Sequence, residues 1–412
     1  MLDLLPLNAE LIDGALHIGG LRASDLADEH GTPLLVYSEE TIRAQARAYR
    51  DAAPNALIVY GTKAFANVEL MRLLADEGVG ADVSTAGELA FAVEAGVPGE
   101  RILFHGNNKS DDELRAAAVV DANVVLDAPD EPERAAAAGV RRVLVRLTPG
   151  VEAVTHQSIQ TAHDESKFGL AADSALEAIA GALTLGLDVA GVHFHVGSQL
   201  ARIDESLVAV DRLVAFCDRA RAELGWSPRM LDVGGGLGIR YTREERVPAI
   251  ADFVSPLVAR LPSEVQVVLE PGRSLVGRAG VTLYRVGVVK ESGGVSYVAI
   301  DGGMSDNPRP QLYGARYEAL LANRADELPD GVFRIAGKHC ESGDVLIDAI
   351  ALPRPRRGDV LAVPSTGAYT LAMGSNYNGV PRPAAVLVGD GGARLIRRRE
   401  TIEDLLALEP LH

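Results

Sequence analysis

The chain has 412 residues, enough for two domains of which one is a large barrel. Its 40 basic residues against 57 acidic ones leave a net charge of -17, which speaks against a nucleic-acid partner. Two cysteines, Cys217 and Cys340, exclude a disulfide scaffold, no apolar run has membrane-spanning length, and residues 1–20 lack the basic-then-apolar order of a secretory signal, so no membrane partner and a reducing cytoplasm are expected.

Residues 1–35 read as an extended N-terminal segment that packs with a later β domain, with a strand over 34–37. Eight apolar runs of strand length follow, at 56–60, 80–84, 101–105, 123–127, 143–147, 190–195, 230–233 and 265–270. Alanine-rich stretches separate them, and their leucine and valine spacing predicts one-faced helices at 68–77, 86–95, 111–119, 174–183, 205–224 and 247–261. This alternation over residues 36–278 predicts a (β/α)8 barrel of the TIM type, with a doubly wound sheet as the alternative. Past Gly280 the runs at 281–291, 295–300, 332–335, 345–350, 360–363 and 384–388 have no long helices between them and are punctuated by proline and glycine. They predict a second, mainly antiparallel β domain over 279–412.

The chemistry gathers where barrel strands should end. The seventh run finishes in Asp232-Val-Gly-Gly-Gly-Leu-Gly238. Consecutive glycines let a strand turn sharply and aim backbone N–H groups at one anion, although they also suit a plain flexible turn. The spacing is not that of a dinucleotide fold, so a cofactor with a single phosphate is expected. Other ends carry Gly61-Thr-Lys63, Asp82, His105-Gly-Asn-Asn-Lys109, His193 and His195 with Ser198, and Glu270-Pro-Gly-Arg273. Polar groups at six of eight ends exceed what solubility asks. His193 and His195 stand two apart and share a strand face, an arrangement open to a metal, but no third ligand is at hand and none is expected. Asp232 alone reads as a strand-end cap. Cys340 precedes Glu341-Ser-Gly-Asp344, a polar segment unlike core.

These segments resemble those of the diaminopimelate decarboxylases, within the alanine-racemase-like fold type of pyridoxal-phosphate enzymes that also holds ornithine and arginine decarboxylases. The likeness runs through Tyr60-Gly-Thr-Lys-Ala-Phe65, Phe104-His-Gly-Asn-Asn-Lys-Ser110, Thr161-Ala-His-Asp-Glu-Ser-Lys-Phe-Gly169, His193-Phe-His-Val-Gly-Ser-Gln199 and the glycine run. It continues through Glu270-Pro-Gly-Arg-Ser274, Asp301-Gly-Gly-Met-Ser-Asp-Asn-Pro-Arg-Pro310, Leu312-Tyr-Gly-Ala-Arg-Tyr317, Gly337-Lys-His-Cys-Glu-Ser-Gly-Asp344, Gly374-Ser-Asn-Tyr-Asn378 and Pro381-Arg-Pro383. The order is the family's and covers nearly the whole chain.

The resemblance implies pyridoxal 5'-phosphate and assigns roles. Lys63 would hold the cofactor's aldehyde, with Asp82 as a supporting polar group. His195 would pack on the ring, and Glu270 would face the pyridine nitrogen. Ser198, Gly234, Gly235, Gly236, Gly272, Arg273 and the Tyr377 hydroxyl would take the phosphate. The implied substrate is meso-2,6-diaminopimelate, decarboxylated at its D-centre to L-lysine. Arg273, Arg309, Tyr313, Glu341 and Tyr377 would bind it, with arginine suited to the distal carboxylate and Glu341 to the ammonium. Cys340 would be the acid that returns a proton. The family implies a homodimer in which Cys340 and Glu341 reach the partner's barrel. Phe65 stands where the family often has asparagine, and 154–157 also departs from the usual loop. Another basic amino acid decarboxylase on this scaffold, or a non-catalytic homologue, is the alternative; intact Lys63 and glycines speak against the second.

Overall fold

A computed structural model describes residues 1–148 and 166–410. They form two compact units. One comprises Arg43–Gly238 and Arg246–Leu275, the other Met1–Ile42, Ile239–Glu245 and Val276–His412.

The first unit is a closed parallel barrel. In chain order its strands are Leu57–Gly61, Gly80–Val83, Ile102–Phe104, Asn123–Leu126, Arg142–Arg146, Asp188–His193, Met230–Asp232 and Gln266–Leu269. The last pairs back onto the first through Val268↔Leu57 and Leu269↔Ile58, so the sheet has no edge. All eight expected runs are strands: five are one or two residues shorter, and those at 57–61, 142–146 and 188–193 keep their length but are shifted by one or two residues. Alternate residues pack the lumen: Leu57, Val59, Leu103, Val125, Leu144, Ala190, Met230 and Val268 form one buried cluster. Helices follow the strands, and side chains start several of them. Asn67 accepts from Leu70 N, Thr85 accepts from Glu88 N, and Ser110 with Glu113 makes a reciprocal capping box. The periodicity passed over Glu39–Ala52 and Glu131–Ala137, both of which are helices.

The second unit is built on a nine-stranded sheet. Its main path runs Val345–Leu352, Gly331–Ala336, Val295–Ile300, Gly280–Ser292, Leu34–Ser38, Ala384–Gly389, Gly392–Arg397. Val360–Pro364 pairs with Gly280–Ser292 and with Leu320–Leu321. Most pairings are antiparallel, but Val295–Ile300 with Gly331–Ala336 and Leu34–Ser38 with Ala384–Gly389 are parallel. Strand Leu34–Ser38 runs across residue 36, where the sequence placed the start of the barrel. The N-terminal segment is less extended than expected: it holds a three-stranded antiparallel sheet and the helix Ala23–His30.

Both faces of the large sheet are covered. Along Gly280–Ser292, Val281 and Leu283 join a cluster with Leu16, Leu26 and Val386. Their neighbours Tyr284 and Val286 join an opposite one with Val298, Phe333 and Leu361. The two-residue period of a strand produces this split. The second cluster also takes Ile239 and Tyr241, which is why a short stretch within the barrel's sequence groups with this unit. Among the described residues, no helix is long and apolar enough to cross a membrane.

Candidate active site

The first barrel strand ends at Gly61, and the single turn Thr62–Ala64 follows. That turn carries Lys63 to the rim. Lys63 Nζ donates to Asp82 Oδ2 at 3.2 Å; the lysine side chain is 50% exposed and the aspartate 2%. Thr62 Oγ1 donates to the Asp82 carbonyl at 2.7 Å, which ties this turn to the second strand. Phe65 is buried while Lys63 is half in solvent, so Phe65 serves as packing.

A buried cluster lies beside this turn, drawn from the third, sixth, seventh and eighth strand ends. His105 Nε2 is 2.6 Å from Glu270 Oε1, an ion-pair contact without the alignment of a hydrogen bond, and 3.7 Å from Asp82 Oδ1. His193 Nε2 is 3.3 Å from Glu270 Oε2, and the two imidazoles meet edge to face at 4.8 Å. Burial would push Glu270 up, but the imidazoles of His105 and His193 hold it well below the usual carboxylate range. Burial, and then repulsion from Glu270, pushes Asp232 well above that range. The two neighbouring carboxyls are thus pushed in opposite directions, Glu270 toward its charged form and Asp232 toward its neutral one. Burial pushes His193 down to about 4. His193 is therefore uncharged at neutral pH, and its Nε2 meets Glu270 without the alignment of a hydrogen bond. Among the described residues no lysine or arginine pairs with Glu270, so its charge is left for a cationic group.

The glycine turn is fixed by what a Cβ would strike. At Gly235 it would lie 2.2 Å from the Glu270 carbonyl oxygen, and at Gly236 2.5 Å from that of Gly197. Gly234 has φ +67°, and its Cβ would lie 2.7 Å from the Phe194 oxygen. The chain here passes closer to the sixth and eighth strand ends than any side chain allows. Asp232 Oδ1 accepts from Gly234 N at 2.9 Å, and Gly235 N donates to His195 Nδ1 at 3.4 Å. Arg273 opens the short helix Arg273–Val276, is 7% exposed, and donates to Ser198 Oγ at 3.1 Å. His195, Ser198, the three glycines and Arg273 thus gather on one rim, beside the Pro271–Gly272 turn that accepts from Gly61 N.

One expectation needs correction. The sixth strand ends at His193, so the strand period that placed His193 and His195 on one face does not extend to His195. His193 is buried and His195 half-buried at the glycine turn. The donor set missing from the sequence is instead His105, His193, Asp232 and Glu270, whose ligand atoms lie within 4.8 Å of one another. Two imidazoles and two carboxyls can take a divalent cation, or they can set the charge beneath a bound heterocycle.

The remaining expected residues belong to the second unit. Arg309 opens the helix Arg309–Tyr313, is 5% exposed, stacks on Tyr241 at 4.2 Å and donates to the Tyr317 hydroxyl. Tyr313 OH lies 4.0 Å from Met373 Sδ. Cys340 and Glu341 are exposed. Their loop is anchored from beneath by Asp344, which takes His339 Nδ1 at 2.6 Å, His339 N at 3.0 Å and Met304 N at 2.8 Å. Gly337 packs on the Asp344 carboxyl so closely that a Cβ would come to 2.0 Å. Cys340 N donates to Asn378 Oδ1 at 2.9 Å, and Tyr377 stacks on His339 with centroids 5.7 Å apart. Cys340 and Tyr377 are therefore brought together through one anchored loop. The motif at 161–169 lies largely outside the described residues, as does 154–157.

Residues 39–277 match the family profile of the pyridoxal-dependent decarboxylase pyridoxal-binding domain. A diaminopimelate decarboxylase from Actinosynnema pretiosum is 44% identical over 98% of this chain and 95% of its own. The Bacillus subtilis diaminopimelate decarboxylase is 42% identical over 96% of this chain and 95% of its own. The chain belongs to the pyridoxal-dependent decarboxylases, in the diaminopimelate decarboxylase branch. A diaminopimelate decarboxylase from M. jannaschii, solved with L-lysine, superposes with a TM-score of 0.92 at 35% identity, over 98% of both chains.

The rim suits the family's cofactor on its own observations. It presents a lysine amine, a backbone turn with no room for a Cβ, and a buried carboxylate oxygen, Glu270 Oε1, that lacks a hydrogen-bond partner. His105, Asp232, His339 and Asp344 were given no catalytic role from the sequence. Their signal was position: His105 and Asp232 end barrel strands, and His339 and Asp344 bracket Cys340.

Proposed function

We propose that this chain decarboxylates meso-2,6-diaminopimelate at its D-centre, yielding L-lysine and CO2 with the help of pyridoxal 5'-phosphate. The likeness to diaminopimelate decarboxylases over nearly the full length of both chains carries this reading. Arg309 supports it, being a buried cation that no carboxylate offsets among the described residues. The test is CO2 release from meso-diaminopimelate beside ornithine, arginine and lysine. Turnover is expected on the first alone, and a comparable rate on ornithine overturns the substrate assignment.

Pyridoxal phosphate, when bound, supplies an electron sink for the pair left behind as CO2 departs. The protein's part is to hold and tune it. Lys63 would carry it, with the amine kept in place by Asp82. Gly234, Gly235, Gly236, Ser198, Gly272, Arg273 and Tyr377 would hold the phosphate, and His195 the ring face. Glu270, kept anionic, would favour a protonated ring nitrogen, because a nearby opposite charge raises a base's pKa. Arg273, Arg309, Tyr313, Glu341 and Tyr377 would orient the substrate so that its scissile bond stands across the ring plane. Cys340 would deliver a proton to the carbon that lost CO2. The exposure of Cys340 and Glu341 is in keeping with a second copy of the chain whose barrel they complete.

A further inference from the structure

Two of this chain's poorly exposed arginines are neutralised by a carboxylate. Arg324, 13% exposed at its side chain, meets Asp359 at 2.6 Å, and Arg146 meets Asp127 at 3.4 Å. Arg309 is more buried than most yet has no carboxylate partner among the described residues. Its guanidinium carbon sits 4.2 Å above the Tyr241 ring and 5.6 Å from the Tyr317 ring, and one N–H goes to the Tyr317 hydroxyl. The two rings stand edge to face, 5.4 Å apart and at 82°. Arg309 Nε is buried with no hydrogen-bond partner. A bare buried guanidinium is costly. Aromatic faces stabilise it through their quadrupoles without supplying a negative charge. A carboxylate in their place would cancel the charge and occupy the N–H fork.

We infer that Tyr241 and Tyr317 are specificity-determining positioning residues, which hold Arg309 cationic and uncommitted so that its Nε-side fork takes the distal carboxylate of the substrate. The inference rests on the proposed function, and it extends that reading to Tyr241, a residue of the barrel's own sequence span that packs with the second unit. Discrimination between an amino acid and a plain amine then depends on two side chains that need not touch either molecule.

The experiment uses the holoenzyme and two probes that differ in one carboxylate, L-lysine and cadaverine. Binding is measured by calorimetry, and KM and kcat are measured on meso-diaminopimelate. Wild type should prefer L-lysine. Tyr241→Leu should weaken L-lysine binding and raise KM by about tenfold, with cadaverine affinity and kcat nearly unchanged. Tyr241→Phe, which keeps the aromatic face, should restore the preference. If Tyr241→Leu does not fold, Tyr317→Phe decides: losing the hydroxyl acceptor should lower L-lysine affinity several-fold and leave cadaverine alone. A wild type that does not tell the two probes apart overturns the functional reading of Arg309. A wild type that does, beside variants that keep its full preference, overturns the clamp alone.

Discussion

Glu270 shows how side chains from distant parts of the sequence make one electrostatic device. Its oxygens face His105 and His193, and its neighbour Asp232 is pushed toward its neutral form, because two adjacent buried carboxyls cannot both ionise cheaply. At the end of the adjoining first strand, Lys63 stands at the rim with Asp82 behind it. Replacing Lys63 by alanine should abolish the yellow colour of the purified protein and reduce product formation to background. Colour that survives, and bleaches with borohydride, would mean another amine is the anchor. The individual groups were legible because strand ends announce themselves as polar residues after apolar runs. Their pairing was not. His105 and Glu270 are separated by most of the barrel's sequence and meet only because the ring closes, a long-range event that leaves no local signature.

At the scale of elements, the glycine turn is the least tolerant segment. A methyl group at Gly235 has the Glu270 carbonyl in its way, and backbone cannot swing aside as a side chain can. Gly235→Ala should lower stability by about 2 kcal/mol or more and release the cofactor, read as a lower melting temperature and lost colour. Helix Glu39–Ala52 illustrates a different dependence. Its Arg43 and Arg47 converge on Glu77, which follows the helix Val68–Asp76, at 3.1 and 2.8 Å. Arg47 first, and then Arg43, hold Glu77 below its ordinary 4.5 against the opposing effect of burial. A depressed carboxyl stabilises the fold above its unfolded value and loses that contribution as pH falls through the lowered one. Glu77→Gln should therefore cost about 1 kcal/mol at neutral pH and flatten the acid limb of a melting-temperature curve below about pH 4.5. That helix escaped sequence reading although Ile42, Ala46, Tyr49 and Ala53 recur at helical spacing and are buried, because two of the four are alanines set among arginines and glutamates. The eight strands did not escape, because a packed lumen demands apolar runs whatever surrounds them.

At the scale of the whole molecule, the proposed homodimer predicts complementation. Lys63→Ala and Cys340→Ala homodimers should each be nearly inactive. Mixed and allowed to exchange subunits, they should regain part of the wild-type rate, since one site of each hybrid draws both native residues. No recovery after proven exchange would place both groups of a site on one chain. The two-part architecture was readable from the change of rhythm near Gly280, but the sharing of residues between its parts was not. Tyr241 lies within the barrel's sequence span and packs in the other core. The central place of Leu34–Ser38 in the large sheet has a consequence for biosynthesis. Its neighbours on either side are residues 280–283 and 384–388. This segment is made well before either neighbour, and its second hydrogen-bonding margin stays bare until residues 384–388 have been translated. A nascent chain stalled after residue 278 should thus hold a native-like barrel while carrying a sticky leading tail, the point at which a holdase would engage it.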